Sequence, residues 1–137
     1  MDIQSSIEVK SEWEIVAARQ AGRTLAKEIG FGTVDQARIA TAISELARNI
    51  YLYAKVGTIY LEVVEKRSTK GLQQGLVIKA IDQGPGIKDL RQVMEDGFTT
   101  SGGLGAGLPG VKRLMDDFSI ESTLNKGTVI TATKWLR

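Results

Sequence analysis

Apolar residues along this chain recur with two different periods, and the switches between them outline its elements. Residues 5–10 alternate weakly, enough for a first strand. Ser11-Glu12-Trp13-Glu14 has the form of a capping box, with Ser11 as N-cap and Glu14 reaching back. Trp13, Val16, Ala17, Ala21, Leu25 and Ile29 follow at helical spacing, and Gly30 and Gly32 close that helix. Thr33-Val34-Asp35-Gln36 is a second capping box. Ile39, Ile43, Leu46, Ala47, Ile50 and Ala54 then give a second helix its apolar stripe.

Past these helices the period changes. Residues 58–65 are rich in β-branched and aromatic side chains and read as a strand. Residues 66–74 read as a polar hairpin turn, and 75–82 as the returning strand, which ends on an acid. A short helix fits 89–95, and 97–107 has no periodicity and is a loop. Pro109 suits the first turn of a helix that runs to about Met115. Residues 118–123 and 127–134 form a last pair of strands around Leu124-Asn125-Lys126. The order β-α-α-β-β-loop-α-β-β predicts an α+β two-layer sandwich, with helices on one face of a mixed, mostly antiparallel sheet.

Composition narrows the chemistry. A chain of 137 residues makes one domain, 1–137, large enough to bury a core. It has no cysteine and no histidine. That excludes disulfides, thiolate or imidazole zinc sites, a cysteine nucleophile and a Ser-His-Asp triad. A net charge of +2 is too small to argue for nucleic acid or a membrane surface. The N-terminus lacks the pattern of a signal peptide, and no apolar run approaches the ~20 residues of a membrane span. The expected compartment is the cytoplasm. Eight of the fifteen glycines cluster between Gly84 and Gly110, which marks a region built for close backbone approach.

Four short signals carry the candidate chemistry. Glu45 and Asn49 stand at i and i+4 and share one helix face, at the shoulder of the apolar stripe. A carboxylate and a carboxamide there suit magnesium and base work, although the same pair also occurs on ordinary solvated helices. Asp82 ends an apolar strand, and Gly84 and Gly86 flank Pro85 just after it. An acceptor-only carboxylate in that place can take a hydrogen bond from an exocyclic amine. Gly102, Gly103, Leu104, Gly105, Ala106 and Gly107 make a run whose backbone N–H groups can form an anion nest, ahead of the helix at Pro109. Thr99, Thr100 and Ser101 add hydroxyl donors, and Lys112 adds a charge one turn into the helix. Gly127-Thr128 opens the final strand and on its own is a hairpin turn. Residues 105–110 formally match G-x-G-x-x-G, but no apolar strand precedes them, as a dinucleotide fingerprint requires. No P-loop sequence occurs.

In this order, the four signals resemble the motifs of the Bergerat-fold ATPases: the gyrase, heat-shock-90, sensor histidine kinase and mismatch-repair types. The resemblance spans about residues 35–135. Small size and the segment Ser-Glu-Leu-Ala-Arg-Asn make the chain most similar to the anti-sigma-factor serine kinases of bacterial partner-switching systems, including the switch kinases of the stressosome. The resemblance implies that ATP and magnesium are the cofactors. It implies that Asp82 reads the adenine amine with Gly86 and Thr128 near the base, and that Asn49 ligates magnesium. Glu45 would be the general base and would reach the metal through water. Residues 103–107 would wrap the phosphates, with 89–101 as an ATP lid. The implied partners are STAS-domain antagonist and scaffold proteins as phosphoacceptors, and a protein phosphatase activated by the released kinase. One departure is Leu52, where sensor kinases usually carry a basic residue; Arg48 and Lys55 are the candidate replacements. Two other functions remain open: an ATP-binding anti-sigma factor that sequesters its sigma factor directly, and a bare ATPase.

Overall fold

A computed structural model describes residues 2–95 and 107–137. The chain order is β1 (Asp2–Val9), α1 (Glu12–Ile29), α2 (Thr33–Tyr53), β2 (Gly57–Ser68), β3 (Gly71–Asp82), α3 (Leu90–Val93), α4 (Gly107–Leu114), β4 (Asp117–Thr123) and β5 (Gly127–Trp135). The five strands form one sheet in the order β1-β2-β3-β5-β4, with every neighbouring pair antiparallel. This is the α+β arrangement expected from the pattern, with the sheet wholly antiparallel.

The register explains where the core sits. Ile59, Leu61, Leu76, Ile78, Ala80, Ile130 and Ala132 lie on the same side of the pleat, and each is at most 2% exposed. They meet Ile39, Ile43, Leu46, Ala47 and Ile50 of α2, the stripe read from the sequence, all at most 1% exposed. On the other side of the sheet Thr58, Tyr60, Lys79, Ile81, Val129 and Thr131 stay partly exposed.

Helix α1 packs Ala21, Leu25 and Ile29 against the core as its periodicity predicts, but departs from the expected face in its first turns. Its buried residues are Ile15, Ala18, Gly22 and Ala26, while Trp13 is 80% and Val16 49% exposed. The apolar positions of this segment overlap two faces, and the narrower side chains won. A Cβ built on Gly22 would lie 2.0 Å from Ile43 Cδ1, so the α1–α2 crossing is closer than the Trp13 face would permit.

The helix ends follow the sequence in part. The Ser11 hydroxyl accepts the Trp13 N–H, and Glu14 accepts from the Lys10 N–H and the Ser11 hydroxyl. Gly30, at φ 117°, donates to the Ala26 and Lys27 carbonyls, and the Phe31 N–H also reaches Ala26. The second capping box does not form. Gly32, which has no side chain to accept a bond, is the N-cap of α2, and the buried Gln36 amide donates to the Phe31 carbonyl at 2.8 Å.

The β2–β3 ribbon also runs further than expected. Residues 66–74 read as a turn, yet pairing continues to Ser68↔Gly71. Polar residues belong there because the ribbon has left the core and is held by other contacts. The Lys66 ammonium sits 4.0 Å from the centre of the Trp135 ring, and the Gln73 amide donates to the Leu136 carbonyl.

Candidate functional site

Helix α2 crosses the core with its shoulder facing the ends of β3 and β5, and a cavity of about 300 Å³ opens between them. Glu45 and Asn49, one turn apart, both line it. Glu45 is only 5% exposed, deeper than a surface shoulder implies, and Asn49 is half-buried. The i, i+4 spacing therefore does bring both side chains to one wall.

Asp82 and Thr128 form the adjoining floor. They are opposite one another in the β3–β5 ladder, both line the cavity, and they are 8% and 4% exposed. The Gly84 N–H donates to Asp82 Oδ1 at 2.9 Å, which closes the turn after β3. A carboxylate accepts several such bonds, so capacity remains for a ligand amine. Gly84 itself does not line the cavity. A Cβ there would lie 2.6 Å from Ala54 Cβ, so this glycine lets the turn pack on the end of α2. Gly86 does line the cavity, at φ 80°, with its neighbours Pro85 and Ile87.

Helix α4 brings its N-terminus to the same space, with Gly107 and Leu108 on the wall. Its first N–H groups and dipole suit an anion. The rest of the proposed phosphate segment, Thr99, Thr100, Ser101, Gly102, Gly103, Leu104, Gly105 and Ala106, lies outside the described residues, as does the later part of the lid. The earlier part shows α3, capped by Asp89 accepting the Gln92 N–H, with Asp89, Gln92 and Val93 on the cavity wall. Lys112 is exposed and is not among the described lining residues.

Neither proposed replacement for a basic residue at Leu52 reaches the cavity. Leu52 lines it; Arg48 lines a separate groove with Trp13, Val16 and Arg19, and Lys55 is an exposed residue at φ 74°. The described cation on the cavity wall is Lys88, which the sequence did not single out. Also missed was Ser122, whose hydroxyl lies 2.7 Å from the Ile87 nitrogen and 2.8 Å from Thr128 Oγ1. No spacing rule connects Ser122 to Ile87 across 35 residues.

Among the described residues no group of three acidic ligands could enclose a metal. Magnesium does not need one: it takes one or two protein oxygens and completes its shell with phosphates and water. Asn49, with Glu45 one turn away, fits that demand.

The sequence profile of the "Histidine kinase-, DNA gyrase B-, and HSP90-like ATPase" family matches residues 34–137. The chain belongs to this ATPase family. Nucleotide use comes with that membership, and the cavity walls lie within the matched region. The ATPase chain is 67% identical over its full length, and over the full length of the relative, to "Serine/threonine-protein kinase RsbT" of Bacillus subtilis (strain 168). It is 33% identical over 106 residues to "Anti-sigma F factor" of Caldanaerobacter subterraneus subsp. tengcongensis, covering 73% of the chain and 70% of the relative. In structure it is similar to the RsbU and RsbW domains of Rv1364c from Mycobacterium tuberculosis, with a TM-score of 0.61 and 18% identity. That match covers 96% of this chain and 32% of the other, and it speaks to the fold alone. The ATPase is thus an enzyme whose full-length relative is a kinase. Among the described residues no helix is long and apolar enough to cross a membrane.

Proposed function

We propose that this protein is a serine/threonine kinase that transfers the γ-phosphoryl group of ATP to a partner protein in a partner-switching circuit. The observation that carries the reading is the convergence of Glu45, Asn49, Asp82, Thr128 and the α4 N-terminus on one cavity. Its full-length similarity to a serine/threonine-protein kinase supports the choice of reaction.

Each residue has a role its chemistry permits. Asp82 accepts a hydrogen bond from the adenine amine, with Gly86 and Thr128 beside the base. The N-terminus of α4 holds phosphate oxygens, and Lys88 and the glycine run 102–107 add to that grip. Asn49 would offer its amide oxygen to magnesium, with Glu45 reaching the ion through water, and the bound ion would supply charge neutralisation for the phosphates. Glu45 takes the proton of the acceptor hydroxyl as that oxygen bonds to the γ-phosphorus. The bond to the bridging oxygen breaks and ADP leaves. The protein's share of catalysis is positioning and this proton transfer.

The acceptors fitting this reading are STAS-domain antagonist and scaffold proteins, and the released kinase would activate a protein phosphatase in the cytoplasm. A phosphoacceptor gains about two negative charges, enough to alter its docking. The similarity to anti-sigma F factors favours a second reading, in which the ATP-bound protein sequesters a sigma factor. The deciding experiment incubates the protein with labelled ATP, magnesium and a STAS-domain protein, with Glu45→Gln and Asn49→Ala as controls. Label on a partner serine or threonine, lost in both variants, supports the kinase. Normal ATP binding without label, together with sigma-factor capture, supports sequestration. Full transfer by Glu45→Gln would remove Glu45 as the base.

A further inference from the structure

Ser122 holds the turn after β3, the β4–β5 hairpin and Thr128 together with a single hydroxyl. Its oxygen lies 2.7 Å from the Ile87 nitrogen, 3.2 Å from the Gly127 carbonyl and 2.8 Å from Thr128 Oγ1. A serine hydroxyl has one proton and two acceptor lone pairs. Ile87 is a backbone N–H and can only donate; the Gly127 carbonyl can only accept. All three contacts are hydrogen bonds in one arrangement alone. Ser122 accepts from Ile87, donates to Gly127, and accepts from the Thr128 hydroxyl.

That arrangement commits the only proton of Thr128. Toward the cavity Thr128 then has lone pairs and nothing to donate. Opposite it in the ladder, Asp82 accepts the Gly84 N–H and presents a carboxylate, an acceptor, to the same space. The floor of the cavity is therefore two acceptors side by side, 8% and 4% exposed, where an unmatched polar group is costly. We infer that Ser122 is a specificity-determining positioning residue: by fixing the polarity of the Thr128 hydroxyl, it makes the site accept a 6-amino purine and reject a 6-oxo purine. The amino group carries two protons for two acceptors. A 6-oxo group turns its own lone pairs toward the same two acceptors. The inference rests on the nucleotide-binding reading of this cavity.

ATP and inosine triphosphate are the probes, because they present an amino and an oxo group at the same ring position. Both affinities are measured by titration for the parent, Ser122→Ala and Ser122→Thr, with thermal melting to confirm folding. The parent should prefer ATP strongly. In Ser122→Ala the Thr128 hydroxyl is free to turn its proton to the cavity, and the preference should shrink about tenfold, the weight of one hydrogen bond. Affinity for both nucleotides should also fall, since Ile87 loses its acceptor. Ser122→Thr keeps a hydroxyl and should restore the preference. An unchanged ratio in a folded Ser122→Ala, with both affinities reduced alike, would show a merely structural role and overturn the inference.

Should Ser122→Ala fail to fold, Thr128→Val decides the question, because it leaves the Ile87 and Gly127 bonds of Ser122 in place. It should weaken ATP about tenfold and leave inosine triphosphate nearly unchanged. Equal effects on both would again overturn the inference. A parent protein that binds neither nucleotide would instead refute the nucleotide reading itself, and a parent that binds both equally would refute only the polarity argument.

Discussion

Gly127→Ala should cost both stability and nucleotide binding, for reasons the geometry separates. Gly127 has φ 125°, in the half of backbone space that L side chains rarely adopt. Holding a residue there costs about 1–3 kcal/mol. A Cβ would also lie 2.1 Å from the Asp82 carbonyl oxygen and 2.8 Å from Gln83 Cα. Ordinary contact begins near 3.4 Å, so the strands must part by about 3.4 − 2.1 = 1.3 Å. Both neighbours are backbone, so neither can rotate away. The opening falls on the Asp82↔Thr128 pair and strains the Ser122 bonds, a further loss of about 1 kcal/mol. Together these come to about 2–4 kcal/mol, or a fall in melting temperature of roughly 10 °C for a domain of this size. ATP affinity should drop at least about tenfold, because two walls of the cavity shift together. Gly71→Ala is the internal control. Its φ is 105°, yet a Cβ there meets nothing within 4 Å, so it should destabilise through backbone strain alone and leave ATP affinity unchanged. Thermal melting and ATP titration on the two variants test this. A Gly127→Ala protein that melts within about 3 °C of the parent and binds ATP normally would refute the reasoning.

In the proposed nucleotide site, Asp82→Asn would place a donor where the adenine amine would need an acceptor, and should weaken ATP about 10- to 100-fold in a titration while the parent fold persists. Lys134, 7% exposed, donates to the Leu114 carbonyl at 3.0 Å and sits 3.7 Å from Asp116 and 3.8 Å from Asp35. Lys134→Met keeps the apolar stem but removes the shared cation, and denaturant unfolding should show a loss of about 1–2 kcal/mol, tempered by the partial exposure of both carboxylates. Burial pushes the Asp116 carboxyl up, but bonds from Arg137 and the Trp135 N–H, with the charge of Lys134, outweigh it and hold it below 3.8. Its folded pKa is depressed, so its contribution is complete above the unfolded value near 3.8 and is lost as pH falls through the lower folded value. Asp116→Asn should flatten that acid limb of a stability–pH profile and lower stability at neutral pH; an unaltered limb would refute the assignment.

Local signals were legible wherever one strong pattern stood alone. The α2 stripe, the Gly30 cap, the Asp82-Gln83-Gly84-Pro85-Gly86 turn and the last hairpin all lie where their residue types demand. The α1 face was not legible, because apolar residues such as Trp13 and Ala18 mark two faces of the same segment, and propensity cannot choose between them. The second capping box failed for a related reason. The helix starts one residue early, with Gly32 as N-cap in place of Thr33, and the buried Gln36 amide donates to the Phe31 carbonyl. The site divides in the same way. Glu45, Asn49, Asp82, Gly86, Gly107 and Thr128, each singled out in the sequence, line one cavity. Lys88 on the wall and Ser122 beneath Thr128 did not announce themselves.

By itself the sequence determined what is encoded within a turn or two of chain. That includes the element order, the buried stripe of α2, the acceptor at the end of β3, the glycines that permit the turns, and the absence of any thiol or imidazole chemistry. These follow from backbone geometry and side-chain type, which act locally. Tertiary structure decided which face of α1 is buried, how deep Glu45 sits, that Leu52 rather than Arg48 or Lys55 meets the cavity, and that Ser122 reaches the Ile87 N–H. Each depends on distances between residues far apart in sequence. Close packing sets those distances to within about an ångström, and no periodicity in the chain records them.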